Sequence, residues 1–186
     1  MKKSTTVNLV IAFIVIAVVI ILNVYLKSPS QTDTIALNKN DIIASDLIKK
    51  DSDYKLVFFG YAGCYHFCDP RLHQIDTIYK ELKNDLDLKM LFVDISTETT
   101  HKDAESFAKN VNSEFETISP DAQNITLLQK KFKDVFISKM PDGDYLHSGF
   151  LYLLKKDAEN YYLIKTYMRF AKSGSVIADI KKVLGR

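Results

Sequence analysis

Residues 54–72 read YKLVFFGYAGCYHFCDPRL, and this stretch indicates both a fold class and a pair of reactive groups. Its first part, Tyr54–Gly60, is a short apolar run that ends in glycine, which is typical of a buried strand. Asp69-Pro70 then predicts the start of a helix, because proline is tolerated in the first helical turn. Cys64 and Cys68, the two cysteines of the chain, lie between the strand and the helix.

The spacing of apolar residues predicts further elements in the order β-α-β-α-α-β-β-α. After a first helix that runs to about Asn84, they are a strand at Leu88–Ile95, a helix at Lys102–Val111, a helix opened by Ser119-Pro120-Asp121, strands at Gly149–Leu154 and Tyr161–Met168, and a last helix capped by Ser173. Strands that alternate with helices need crossover connections, so we expect a central, mostly parallel sheet with flanking helices and a closing antiparallel hairpin. An α/β domain of the thioredoxin-like type has this order.

The N-terminal part of the chain predicts a membrane anchor. Residues 7–26 carry no charge, and as a helix they span about 30 Å, the thickness of a bilayer's hydrocarbon core. No small-residue cleavage pattern follows, which favours an uncleaved anchor over a signal peptide. Lys2 and Lys3 precede the span and only Lys27 follows it closely, so the positive-inside rule predicts a cytoplasmic N-terminus.

The predicted organisation is therefore a cytoplasmic segment 1–6, a transmembrane helix 7–26, a polar tether 27–40 and one domain at 41–186. The domain is expected outside the cytoplasm, on the periplasmic side of the membrane. A formal net charge of +2, without a concentrated basic face, argues against a nucleic-acid partner.

The two cysteines have a spacing suited to either redox or metal chemistry. If residues 64–68 are helical, their Cα atoms are about 6 Å apart along the axis, within the range of a disulfide. Both sulfurs can then also converge on one soft metal ion. A helix N-terminus favours the thiolate, whereas the charge of Asp69 opposes it at Cys68. A purely structural disulfide remains an alternative, although so short a loop stabilises a fold little.

His147 is the candidate third ligand. It lies just before a predicted strand, in a loop that can face the thiols. Two thiolates and one imidazole form a soft, low-coordinate set suited to copper, whereas structural zinc favours four ligands. An ordinary surface position for His147 is the alternative. His66 is either a fourth ligand or a residue that points to solvent or tunes the pKa of a cysteine. His73 and His101 are expected to be solvated. Met140 and Met168 are soft ligands in principle but are expected to fill the core.

At this point the sequence resembles a known family. Two segments resemble the Sco/SenC family. They are Phe58-Phe59-Gly60-Tyr61-Ala62-Gly63-Cys64-x-x-x-Cys68 and Tyr145–Leu153, which contains a His-Ser pair. Glu98 resembles the acidic turn that follows the second strand in that family. Members are membrane-anchored, thioredoxin-fold copper proteins that help assemble cytochrome c oxidase. The resemblance covers roughly residues 54–184 and implies copper ligation by Cys64, Cys68 and His147.

The sequence also departs from the family pattern. Tyr65 and Asp69 stand where members carry proline after each motif cysteine, and Leu146 stands where an acidic residue precedes the histidine. The family's aspartate after the second strand corresponds to Ser96 in this reading. A carboxylate commonly orients a ligating imidazole, so these changes bear directly on copper affinity.

The leading hypothesis is a copper metallochaperone, which is not itself an enzyme. It delivers copper to a membrane cytochrome oxidase subunit or another copper or thiol protein, or prepares that partner's thiols, and an external thiol reductant keeps its cysteines reduced. The alternative is an extracytoplasmic thiol–disulfide oxidoreductase in which Cys64 and Cys68 act catalytically without metal. A third hypothesis is a non-catalytic module with a structural disulfide.

Overall fold

The structure is a computed structural model that describes residues 46–132, 135–141, 143–158 and 160–185, together with Ile16, Val18, 34–35 and 42–43. By its contacts the chain divides into two compact units, Met1–Gln31 and Thr32–Arg186. The strands and helices given below all belong to the second unit. The predicted segments 1–6, 7–26 and 27–40 otherwise lie outside the described residues. In the described part of the chain, none of the helices has the length and apolar character needed to cross a bilayer.

Nine strands and four helices follow one another among the described residues. The strands are β1 Thr34–Ile35, β2 Ile42–Ile43, β3 Tyr54–Gly60, β4 Leu88–Asp94, β5 Glu116–Ile118, β6 Ile137–Lys139, β7 Tyr145–His147, β8 Leu151–Asp157 and β9 Asn160–Tyr167. The helices are α1 Cys68–Leu82, α2 His101–Val111, α3 Ala122–Lys131 and α4 Ser173–Val183.

The main sheet has seven strands in the order β1-β9-β8-β3-β4-β5, and β2 also pairs with β9. The expectation of a mostly parallel sheet is wrong. The pairs β3–β4 and β4–β5 are parallel, whereas β3–β8, β8–β9, β1–β9 and β2–β9 are antiparallel. The reason is that the closing hairpin enters the sheet directly beside β3, and the N-terminal strands then add to its outer edge.

The β3 strand is central because it is apolar on both of its faces. Six of its seven residues are buried, and core clusters lie on the two sides of the sheet. One cluster includes Phe58 and Cys68 and receives the apolar faces of α1 and α4. The other includes Phe59 and Leu128 of α3. Helix α1 therefore packs directly over the strand that precedes it, which fixes the short connection between them.

Strands β6 and β7 form a separate two-stranded sheet, in which Ile137 pairs with His147. The hairpin projects Leu146 to solvent and buries His147 on its other face, as expected from the alternation of side chains along a strand. The histidine predicted to lie in a loop is thus the last residue of a short strand.

Helix starts follow local hydrogen-bonding chemistry in two cases. Thr100 caps α2 in a capping box with Asp103, and Asp121 caps α3 through the Asn124 amide. The prediction that Ser173 caps the last helix is wrong, since Ser173 is its first residue and the preceding Lys172 makes no side-chain cap.

Candidate metal centre

The thiols lie where β3 ends and α1 begins, at the carboxyl end of the central strand. The Cys64 carbonyl accepts hydrogen bonds from the amides of Cys68, at 3.0 Å, and Asp69, at 3.2 Å. These bonds form a helical turn just before α1, so both sulfurs point to the same side. Gly60 makes room for them, because a Cβ atom at that position would lie 3.1 Å from the Cys68 sulfur.

The two thiols differ sharply in environment. Cys68 is fully buried, whereas Cys64 is partly exposed, and both are free. Hydrogen bonding from the Cys68 thiol, and then from His147, lowers the pKa of Cys64 to about 4, although burial opposes this shift. Burial, and then the neighbouring Cys64, raises the pKa of the Cys68 thiol. The pair is therefore poised as one thiolate and one thiol.

From the sequence, the helix N-terminus favours a thiolate and the charge of Asp69 opposes one at Cys68. In the structure, hydrogen bonding favours the thiolate at Cys64 and burial disfavours it at Cys68. The amide of Cys68 also donates to the Cys64 sulfur, at 3.3 Å, as an N-terminal helix amide does toward an anion. The first turn of α1 therefore stabilises a thiolate at Cys64, while burial holds Cys68 neutral. Asp94 of β4 also raises the pKa of Cys68, because its negative charge disfavours a thiolate there. The sequence had not indicated this role.

His147 completes the cluster from the β6–β7 hairpin. Its Nε2 lies 3.4 Å from the Cys68 sulfur. Its Nδ1 is buried, and within the described part of the chain it has no hydrogen-bond partner. The ring is instead surrounded by Phe58, Tyr61 and Phe67, whose centroids lie 6.2, 6.3 and 5.4 Å from its own. Aromatic packing thus orients this imidazole.

One ligand atom from each of Cys64, Cys68 and His147 lies within 4.8 Å of the others. At metal–sulfur and metal–nitrogen distances of about 2.3 and 2.0 Å, three atoms arranged trigonally around one ion lie roughly 4 Å apart. Small side-chain rotations therefore bring all three groups onto one ion. Two sulfurs and an imidazole form a soft donor set, and the buried Nδ1 can keep its proton while Nε2 binds the metal.

A buried carboxylate, Asp94, supports the thiol loop. It ends β4 opposite Gly60 and accepts hydrogen bonds from the Thr99 hydroxyl, at 2.6 Å, the Ser96 amide, at 3.2 Å, and the Ala62 amide. Burial raises its pKa. The expectation that Ser96 stands at the position of the family's aspartate overlooked Asp94. The signal was present, since a charged residue ending an apolar strand next to the thiol-bearing strand is a site candidate.

The hairpin is held against the thiol loop by two tyrosines. The ring centroids of Tyr61 and Tyr145 lie 5.3 Å apart, and the Tyr61 hydroxyl donates to Asp144 at 3.2 Å. The Tyr145 hydroxyl accepts a hydrogen bond from the Thr97 amide at 3.3 Å. The turn after β4 thereby contacts the loop that carries the cysteines, through Asp94, and the strand that carries His147.

The remaining candidates lie outside the three-residue group. His66, His73 and His101 are exposed, as expected for solvated side chains. Met140 was assigned to the core by default, and this is wrong, because it is 41% exposed next to the turn between β6 and β7. Met168 is half-buried.

Comparison with known proteins decides the family. The sequence model of SCO1/SenC matches residues 46–185, most of the chain. The chain belongs to the SCO1/SenC family. No curated protein matches this SCO1/SenC chain in sequence.

The SCO1/SenC domain is similar in fold to several solved structures. One is Arabidopsis thaliana ScoI with copper bound, at 17% identity and a TM-score of 0.65 over 72% of this chain and 85% of that one. Bradyrhizobium japonicum ScoI with copper bound has 23% identity and a TM-score of 0.58 over 70% and 85%. A third is BsSco, a member of the Sco family of cytochrome c oxidase assembly proteins in which a disulfide switch was identified, at 18% identity and 0.56 over 70% and 80%. The likeness confirms the α/β fold with a central sheet and flanking helices.

Proposed function

We propose that this SCO1/SenC domain binds one copper ion through Cys64, Cys68 and His147 and passes it to a thiol-bearing partner during the assembly of a respiratory oxidase. The observation that carries the proposal is the approach of the three ligand atoms to within 4.8 Å of one another. Family membership and the copper-bound structures of two similar proteins support it.

The donor set suits a cargo ion that must be held and then released. Thiolates bind copper strongly, and a third ligand brings the ion to a low coordination number that leaves room for an incoming thiol. Cys64 is the more exposed ligand, so a partner's thiolate reaches the ion from that side and replaces Cys64 first. Cys68 is fully buried and is released last.

The predicted anchor would localise this activity to a membrane surface. Residues 7–26 hold the domain at a membrane, and the excess of lysine before the span favours a domain outside the cytoplasm. In that position the site meets membrane-embedded partners, and an external reductant is needed to keep the thiols reduced because the compartment is oxidising.

Metal analysis of the reduced domain tests the proposal. Copper added under nitrogen to residues 32–186, the compact unit that includes β1, is expected to remain bound at about one ion per chain after desalting. The His147→Ala variant is expected to lose tight binding, whereas the exposed His73→Ala variant retains it. Equal binding by wild type and His147→Ala would show that the three-ligand site is wrong.

A second candidate function is thiol–disulfide exchange, and the unequal thiols favour it. The Cys64 thiolate can attack a partner's disulfide sulfur, which forms a mixed disulfide and releases one partner thiol. Cys68, after losing its proton, then attacks the Cys64 sulfur, which releases the second partner thiol and leaves a Cys64–Cys68 disulfide. Two electrons pass to the partner in this sequence. Because this chemistry needs no imidazole ligand, His147→Ala is expected to retain exchange activity while losing copper.

A further inference from the structure

A cleft of about 380 Å³ lies beside the loop that carries Cys64, and neither Cys64 nor the described residues of the hairpin that carries His147 line it. One wall is the thiol loop, with Tyr65 and Asp69, and the other is the region of α2, with Asp103, Phe107 and Asn110. Gly63 and Tyr65, the chain neighbours of Cys64, both line the cleft, so the residues next to a partner's cysteine at Cys64 can reach this part of the surface.

Tyr65 and Asp69, the residues that directly follow the two cysteines in the chain, both line the cleft. Tyr65 is 70% exposed and rests on Phe107, with ring centroids 5.9 Å apart and an interplanar angle of 72°. Its ring is therefore supported from below and open to a ligand. The side chain of Asp69 is 39% exposed, with the imidazole of His73 3.9 Å from one of its oxygens.

The cleft is negatively charged. Its acidic lining residues are Asp69 and Asp103, and none of the described residues that line it is a lysine or an arginine. Asp103 is engaged by the amide and hydroxyl of Thr100, which lower its pKa and so maintain its negative charge. Neutral hydrogen-bonding groups of Thr99, Ser106 and Asn110 complete the lining.

Resting on the proposed function, we infer that this cleft selects partner polypeptides that carry a lysine or arginine next to the cysteine that meets Cys64. A cationic side chain in the cleft gains from both carboxylates and can lie against the face of Tyr65. Low-molecular-weight thiols that carry carboxylates meet like charge there and are disfavoured. Tyr65 and Asp69 thus act as recognition residues.

Exchange kinetics with synthetic peptides test the inference without copper. The probes are blocked five-residue peptides whose central cysteine is joined to thionitrobenzoate by a disulfide and is flanked by lysine, glutamine or glutamate. The Cys64 thiolate attacks the peptide sulfur, a new disulfide forms, and thionitrobenzoate leaves with the electron pair and is measured by absorbance. The ratio of the lysine to the glutamate rate cancels any change in the intrinsic reactivity of Cys64.

We expect the lysine peptide to react at least about threefold faster than the glutamate peptide at low salt, with the glutamine peptide between them. Asp69→Lys is expected to abolish or invert this ratio. Glu81→Lys, which makes the same change of net charge near the other end of α1, is expected to preserve it. Asp69→Asn gives an intermediate ratio and serves if the lysine variant does not fold.

Equal rates for the three peptides in the wild type would overturn the inference, as would an unchanged ratio in Asp69→Lys. Glutathione linked to thionitrobenzoate provides the last comparison, and a rate matching that of the lysine peptide would also overturn it. Because none of these measurements uses copper, they remain informative if the proposed copper site is wrong, and a failed preference leaves the copper titration untouched.

Discussion

Cys64 and Cys68 are separated by one helical turn, yet they are not chemically equivalent. Cys64 lies at the mouth of the site and receives hydrogen bonds, whereas Cys68 lies in the apolar core between β3 and α1. An incoming group can therefore reach one thiol directly and the other only after the first has reacted. The same order applies to ligand exchange and to disulfide exchange.

Alkylation measures this difference. With the pKa of Cys64 lowered to about 4, its thiolate is already formed at pH 6, so its reaction with iodoacetamide should change little between pH 6 and pH 8. Cys68→Ala removes the largest contribution to this shift, so the pKa of Cys64 rises and alkylation should accelerate with pH over that range. A wild-type rate that climbs tenfold per pH unit would contradict the assigned polarity.

Phe67 holds His147 in place by packing, since the buried Nδ1 has no partner among the described residues. We predict that Phe67→Leu lowers copper affinity by roughly tenfold, because a loosened imidazole must be ordered again on binding. Competition with a chelator of known affinity measures this change. Phe115→Leu, in the core against Tyr79, is the matched control and should lower stability while leaving copper affinity unchanged.

The longer elements were predictable from sequence because each is long enough to show a continuous apolar run or apolar residues at helical spacing. Tyr54–Gly60 and Leu88–Asp94 are apolar runs, and α1 shows apolar residues at helical spacing. Strands β5, β6 and β7 were missed because each has only three residues, too few to show an alternation of apolar and polar side chains. The placement of His147 near the thiols followed from strand order, but the aromatic packing around its ring depends on tertiary contacts that no local pattern records.

The start of α2 offers a test of element stability. Thr100→Ala removes the side chain that accepts the Asp103 amide, and the free energy of unfolding should fall by about 1 kcal/mol. Denaturant unfolding of the reduced domain measures it, with an unchanged dependence on denaturant concentration. Thr126→Ala, whose exposed hydroxyl bonds within α3, should change stability by less than about half as much. Equal effects of the two changes would argue against the capping box.

Copper binding should raise the stability of the domain as a whole. A ligand at a concentration 100 times its dissociation constant stabilises the folded state by about 2.7 kcal/mol, which corresponds to a rise in melting temperature of roughly 5 to 10 °C for a domain of this size. Calorimetry of the reduced domain with and without copper measures the shift. His147→Ala should lose most of it, and an equal shift in both proteins would place the copper elsewhere.

The site is assembled from two parts with different mechanical character. The thiols sit on a helix packed over the central strand of a seven-stranded sheet, whereas His147 comes from a hairpin whose two described strands pair only with each other. The hairpin can consequently be exchanged or redesigned while the thiol pair and its supporting strands are left intact. For protein engineering, this makes the third ligand an interchangeable module: grafting hairpins that present a methionine, a second histidine or no ligand onto one scaffold should retune metal preference. The Cys64–Cys68 pair is retained, with a higher pKa at Cys64 wherever the hydrogen bond from His147 is lost.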